Sequence, residues 1–155
     1  MLAQSTIIGV IGGSKCTPET AKDAERVGEL IATRDAALVC GGLGGVMEAA
    51  SKGAASRRGD IIGILPGDDA KGCNKYITYP IPTGMGHARN VIIVHAASAL
   101  VALPGETGTL SEIALALKTG KPVVSVNAWS DVKGVVCCAS PDEAVSKAFE
   151  LIGLA

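Results

Sequence analysis

The chain has 155 residues, 48% of them hydrophobic and 19% charged, with 14 basic and 15 acidic side chains and a formal net charge of −1. That is enough apolar material for the core of one ordinary domain, and it excludes a disordered chain. The balanced charge argues against a nucleic-acid surface or a membrane-binding patch. No apolar run approaches the roughly 20 residues that span a bilayer. The N-terminus shows no basic region leading into a long apolar stretch, so no signal peptide is expected.

Aromatic residues make up only 3% of the chain, so the core must be built from Ala, Val, Ile and Leu. The five cysteines (Cys16, Cys40, Cys73, Cys137 and Cys138) are odd in number and form no C-x-x-C pair. They read as reduced thiols of a cytoplasmic protein.

In chain order, Thr6 to Ile11 is the first predicted strand. Thr17-Pro18 opens a helix with a threonine N-cap and proline in the first turn, and Ala21, Ala24, Val27, Gly28, Leu30 and Ile31 form its apolar face. A second strand, Ala36 to Cys40, leads through a glycine loop, 41–45, into a small-residue helix from Val46 to about Ser56. Ile61 to Leu65 is a third strand, followed by a polar loop to Lys75 and an extended piece from Tyr76 to Ile81. Gly86 to about Ala97 reads as a helix, Ala99 to Leu103 as a strand, and Thr109 to Thr119 as a helix ended by Gly120 and Pro122. Val123 to Val126 and Val135 to Cys138 are further strands, and Ser140-Pro141-Asp142-Glu143 opens the last helix with a capping box.

Strands alternating with helices imply right-handed βαβ units, hence a single-domain Rossmann-like α/β fold with helices on both faces of a doubly wound parallel sheet. Ligands of such sheets bind beyond the carboxyl ends of the strands, at the switch point. Three strand ends carry glycine there: Gly12-Gly13-Ser14 with Lys15 beside it, Gly41-Gly42-Leu43-Gly44-Gly45, and Gly105-Glu106-Thr107-Gly108-Thr109 after Pro104. Each precedes a helix, whose free N–H groups and partial positive charge suit a phosphate. A P-loop is excluded, because no Gly-Lys-Ser/Thr follows. A dinucleotide fingerprint beginning at Gly42 fails at its third glycine, where Met47 stands.

The most informative stretch contains Gly84-Met85-Gly86-His87-Ala88-Arg89-Asn90, then Pro104-Gly105-Glu106-Thr107-Gly108-Thr109-Leu110-Ser111-Glu112, then Gly120-Lys121-Pro122. It resembles the Lonely Guy superfamily, once misnamed lysine decarboxylases, whose signature is Pro-Gly-Gly-x-Gly-Thr-x-x-Glu with an upstream Arg-Lys pair. The Gly41 to Met47 loop is similar to that family's earlier glycine loop. The likeness extends from Ile8 to the last helix. It implies catalytic roles for Arg89 and Glu112 in the hydrolases of the family, and a phosphate loop at Gly105, Gly108 and Thr109. This chain departs at Glu106, where the family has the second glycine, and at Asn90, where it has lysine. The length and the run from Thr109 to Pro122 look more like the branch that includes molybdenum cofactor carrier proteins.

Each of these residues also has a purely structural reading. Glu112 lies three residues after Thr109, as in a capping box. Arg89, in a helix expected to be buried, needs a carboxylate or a phosphate, and Glu112 is a candidate for the former. His87 and His95 lack a third ligand at metal spacing, so no metal site is expected. Three functions remain open. The leading one is a carrier for the molybdenum cofactor or a related phosphorylated pterin. The others are a nucleoside 5′-monophosphate phosphoribohydrolase and a nucleotide-sensing module. The resemblance also implies a homo-oligomer, a dimer or tetramer.

Overall fold

Seven strands pair in the order β4-β3-β2-β1-β5-β6-β7, every neighbour parallel. The computed structural model describes residues 4–154. The strands are β1 (Ile7–Ile11), β2 (Ala37–Cys40), β3 (Ile61–Leu65), β4 (Tyr79–Pro82), β5 (Ala99–Ala102), β6 (Val123–Val126) and β7 (Val136–Cys138). The helices are α1 (Pro18–Thr33), α2 (Val46–Ser56), α3 (Asn90–Ala96), α4 (Thr107–Lys118) and α5 (Pro141–Leu151). The chain builds outward from β1 through β4, then returns to lay β5 against the other side of β1. The switch point of this doubly wound sheet therefore lies between β1 and β5. Since β2, β1 and β5 are adjacent and parallel, the loops after Ile11, Cys40 and Leu103 share one edge, as the sequence implies.

The central strands are buried on both faces, which is why they read as continuous apolar runs rather than alternating ones. Ile8, Val10, Leu38 and Val101 pack with Ala24, Val27 and Ile31 of α1 and Phe149 of α5 on one face. Ile11, Val39 and Leu100 pack with Ile93 and Val94 of α3 and Ile113 and Ala116 of α4 on the other. Local capping follows the sequence at two helices. Thr17 Oγ1 accepts from the Thr20 amide at 3.1 Å, and Ser140 Oγ from the Glu143 amide at 3.2 Å.

Three local expectations change. The extended piece after the polar loop is β4, displaced to Tyr79–Pro82, with all four residues exposed. Pro80 and Pro82 lack amide donors, which suits an edge strand. The helix expected from Gly86 to Ala97 divides into a 3-10 turn, Gly86–Arg89, and the α-helix that begins at Asn90. Helix α4 starts at Thr107 rather than Thr109, which shifts the chemistry of its first turn.

Candidate functional site

A cavity of about 610 Å³ opens at the carboxyl edge of the sheet, over the switch point. Its walls are the loop after β1, the loop after β2, the 3-10 turn, and the first turn of α4. Of the residues expected at a ligand site, Gly12, Gly13, Ser14, Lys15, Gly41, Arg89, Gly105, Glu106, Thr107, Gly108, Thr109 and Glu112 all line it. Gly42, Gly44 and Gly45 do not. Gly45 instead makes a bend: its φ is +62°, and a Cβ there would lie 2.4 Å from the Gly13 carbonyl oxygen. The loop after β2 thus approaches the loop after β1 more closely than any side chain permits.

The glycine loops are hydrogen-bonded to one another. The Gly13 amide donates to the Pro104 carbonyl at 3.0 Å, and the Val46 amide at the start of α2 donates to the Gly13 carbonyl at 3.0 Å. Both amides are thereby occupied. The first turn of α4 differs: Glu106 sits at the N-cap position and no side chain caps the helix. Thr107, Gly108 and Thr109 line the cavity there, with the helix dipole directed at it. That end of the cavity suits an anion.

The expected capping box of Thr109 and Glu112 is absent, because Thr109 lies inside the helix and not at its cap. The Thr109 side chain is 4% exposed and fills the space beside Gly105, where a Cβ would lie 2.2 Å from its Oγ1. Glu112 is thereby free of a capping role. Glu106 adopts an extended backbone, φ −115°, which any residue accepts, and its side chain is exposed at the cavity rim. A glycine is not needed at that position.

Arg89 is 7% exposed, yet its partners are few. Its Nη1 donates to Asn90 Oδ1 at 2.6 Å, while its buried Nε has no hydrogen-bond partner among the described residues. Gly41 makes room for it, since a Cβ at 41 would lie 2.8 Å from Arg89 Nη2 and 2.7 Å from Met47 Sδ. Asn90, where the resembled family has lysine, therefore orients the arginine instead of adding a second cation. Glu112 faces the same cavity and interacts electrostatically with Arg89, although no ion pair within 4.0 Å joins them among the described residues. Burial pushes the Glu112 carboxyl up to about 7, with Arg89 opposing the rise. Burial likewise lowers Arg89, with Glu112 opposing. A buried cation with an unused donor and a carboxyl that changes charge near neutrality can bind an anion and exchange a proton beside it.

Leu43, Met47, His87 and Asn90 also line the cavity and were not expected as ligand contacts. Asn90 and His87 stand in the same motif as Arg89, and that nearness was the available signal for them. Leu43 and Met47 carried none, being apolar residues in a glycine loop and a small-residue helix. The cysteines do not converge: Cys137 is exposed, Cys138 is buried, and no group of three or more metal-ligating side chains occurs among the described residues.

A protein of Archaeoglobus fulgidus with no assigned role is 50% identical over 139 residues, 90% of this chain and 91% of its own. The molybdenum cofactor binding protein of Rippkaea orientalis superposes with a TM-score of 0.91 at 37% identity, over 96% of this chain and 98% of that one. The Moco carrier protein of Chlamydomonas reinhardtii gives 0.88 at 34% identity, over 98% and 100%. The same fold thus recurs across nearly the full length of both. With the SLOG cluster4 pattern matched from residue 5 to residue 149, this chain belongs to the SLOG cluster4 family.

Proposed function

We propose that this protein binds and carries the molybdenum cofactor, or a closely related phosphorylated pterin, in the cavity between β1 and β5. The observation that carries the reading is full-length similarity, at 34–37% identity, to proteins named for binding or carrying that cofactor. The cavity's chemistry is compatible with it. Its volume, about 610 Å³, falls in the range of small-molecule sites. The uncapped first turn of α4 takes the phosphate monoester, with Gly108 allowing close approach. Arg89, held by Asn90, brings its positive charge to the wall of the same cavity. Ser14 and Lys15, both exposed, close the side formed by the loop after β1. The five free thiols suit a cytoplasmic site of action. Like the family it resembles, the protein works as a homo-oligomer. Light scattering should return a multiple of the 15.6 kDa chain mass at micromolar concentration.

A second reading rests on Glu112. A carboxyl pushed up to about 7 beside a buried arginine is suited to acid-base chemistry at an N-glycosidic bond. Against it stand Glu106, which brings negative charge to the rim, and Asn90, which replaces a cation. Two measurements separate these readings. Freshly purified protein is denatured and the released small molecules identified by mass spectrometry, where the carrier reading expects pterin. Nucleoside monophosphates are then incubated with the protein and with Glu112→Ala. Base release near or above ~1 s⁻¹, the low end of ordinary enzymes, and abolished in the variant, would establish a hydrolase instead.

A further inference from the structure

Three of the cavity walls follow β1, β2 and β5, and a chain of hydrogen bonds ties these three segments together. At its centre the Gly13 amide donates to Pro104 and the Val46 amide to Gly13. The chain does not end there. On the β5 side, the carbonyl of Leu103, the residue before Pro104, accepts from Trp129 Nε1 at 2.9 Å. On the β2 side, Asn74 donates twice, its amide to the Gly42 carbonyl at 2.9 Å and its Nδ2 to the Leu43 carbonyl at 3.0 Å. Its Oδ1 accepts from the Tyr76 amide at 3.1 Å, which orients the side chain. Neither Asn74 nor Trp129 lines the cavity.

We propose that Asn74 and Trp129 are positioning residues for the ligand cavity, anchoring the two ends of this belt so that the glycine loops are held in binding geometry before a ligand arrives. The two anchors are built alike. Each comes from a loop remote in sequence, and each satisfies backbone carbonyls where a strand has ended and no sheet partner remains. Trp129 is held in the left-handed region, φ +61°, which a bulky residue rarely adopts. Its turn is fastened on all sides to keep it there. Ser125 Oγ donates to the Ala128 carbonyl at 2.6 Å, the Asn127 amide to Cys138 at 3.0 Å, Asn127 Nδ2 to Ala139 at 3.1 Å, and the Val132 amide to Trp129 at 3.1 Å. Backbone in a rare conformation persists where its surroundings over-determine it, and such places cluster around functional sites. Here the result is an indole N–H delivered to Leu103, at the root of the Pro104–Glu106 loop. Loops rich in glycine lose much freedom when ordered, so anchoring them beforehand reduces what binding must offset.

This inference rests on the cavity being the ligand site, and the test keeps the two apart. Trp129→Phe removes the donor while keeping an aromatic ring. Asn74→Asp keeps the acceptor toward Tyr76 but turns the donor facing Leu43 into a second acceptor. Amide hydrogen exchange is read at Gly13 and Val46, and affinity for molybdenum cofactor and for inorganic phosphate by equilibrium titration. The expected result is faster exchange confined to the belt, at Gly13 in Trp129→Phe and at Val46 in Asn74→Asp. Affinity should be roughly tenfold weaker in each variant, as for supporting groups behind other binding sites. Unchanged exchange at both amides overturns the proposal. So does faster exchange spread evenly over β1, β2 and β5 with a lowered Tm, since that marks a general structural role. If the wild-type protein binds neither probe, the carrier reading fails, while exchange at Gly13 and Val46 still decides whether the belt exists.

Discussion

Glycine does opposite things on the two sides of this molecule. Where α1 crosses α2, Gly28 and Gly53 are buried contact points. A Cβ on Gly28 would lie 1.9 Å from the Ala50 carbonyl oxygen, and one on Gly53 1.8 Å from that of Glu25. In the first turn of α4, a Cβ on Gly108 would meet nothing within 4 Å. The first pair lets two helix backbones touch and so contributes to the fold. Gly108 leaves open the approach to uncapped amides, which matters only if something binds there. Both kinds look the same in a list of glycines. Only the neighbours of the missing side chain distinguish a packing residue from one suited to a ligand.

The sharpest way to break this contrast is Gly28→Val. Backbone oxygen cannot yield as a side chain would, so α1 and α2 must separate, and we expect a stability loss of about 3 kcal/mol or more. Denaturant unfolding measures it. A loss under about 1 kcal/mol would mean that the helices slide freely and that the close contact is dispensable. Gly45→Ala should fall between the two classes. Its φ of +62° and its approach to Gly13 predict a loss of roughly 1–3 kcal/mol together with weaker ligand binding. If stability fell while affinity held, the bend at Gly45 would belong with Gly28 as a fold residue.

Gly108→Val tests the other extreme. With open space around it, the variant should lose no more than about 1 kcal/mol of stability. Its affinity for a phosphate-bearing ligand should fall at least about tenfold, because the added methyls stand over amides that a phosphate must reach. Unchanged affinity would move the site away from α4.

The smallest effect concerns pH. Burial raises the Glu112 carboxyl from its ordinary value to about 7, so the folded protein holds this proton more tightly than the unfolded chain. The associated stability is complete below about 4.5 and is lost as pH rises toward about 7. Ligand binding should follow the same sign. Above about pH 7 the ionised carboxylate opposes an anion in the cavity, so affinity at pH 8 should be lower than at pH 6, by up to about tenfold. In Glu112→Gln that contribution disappears. Parallel pH profiles for the wild type and Glu112→Gln would remove Glu112 from the electrostatics of the cavity.

Much of the architecture is legible in the chain. The apolar runs at Ile7–Ile11, Ala37–Cys40 and Ala99–Ala102 become adjacent central strands. Alternation with helices, and the handedness of the crossover, then bring the loops that follow them to one edge. Arg89 and Glu112 facing one cavity is likewise what their motif implies. These inferences succeed because periodicity and turn chemistry are local, and a local pattern carries its own hydrogen bonding with it. The start of α4 depended on more. Thr109 looks like a cap, but its side chain is packed beside Gly105, so the helix begins at Thr107 and Glu112 is left facing the cavity. The uses of Asn74 and Trp129 were illegible for the same reason. Their partners lie 31 and 26 residues away, and nothing near either residue marks which carbonyl it will meet. Composition, period and capping residues determine which strands and helices form and in what order. Which carbonyl is left unpaired at a strand end, and which remote side chain reaches it, is decided only when the sheet closes, because that pairing exists only in the packed arrangement of the loops.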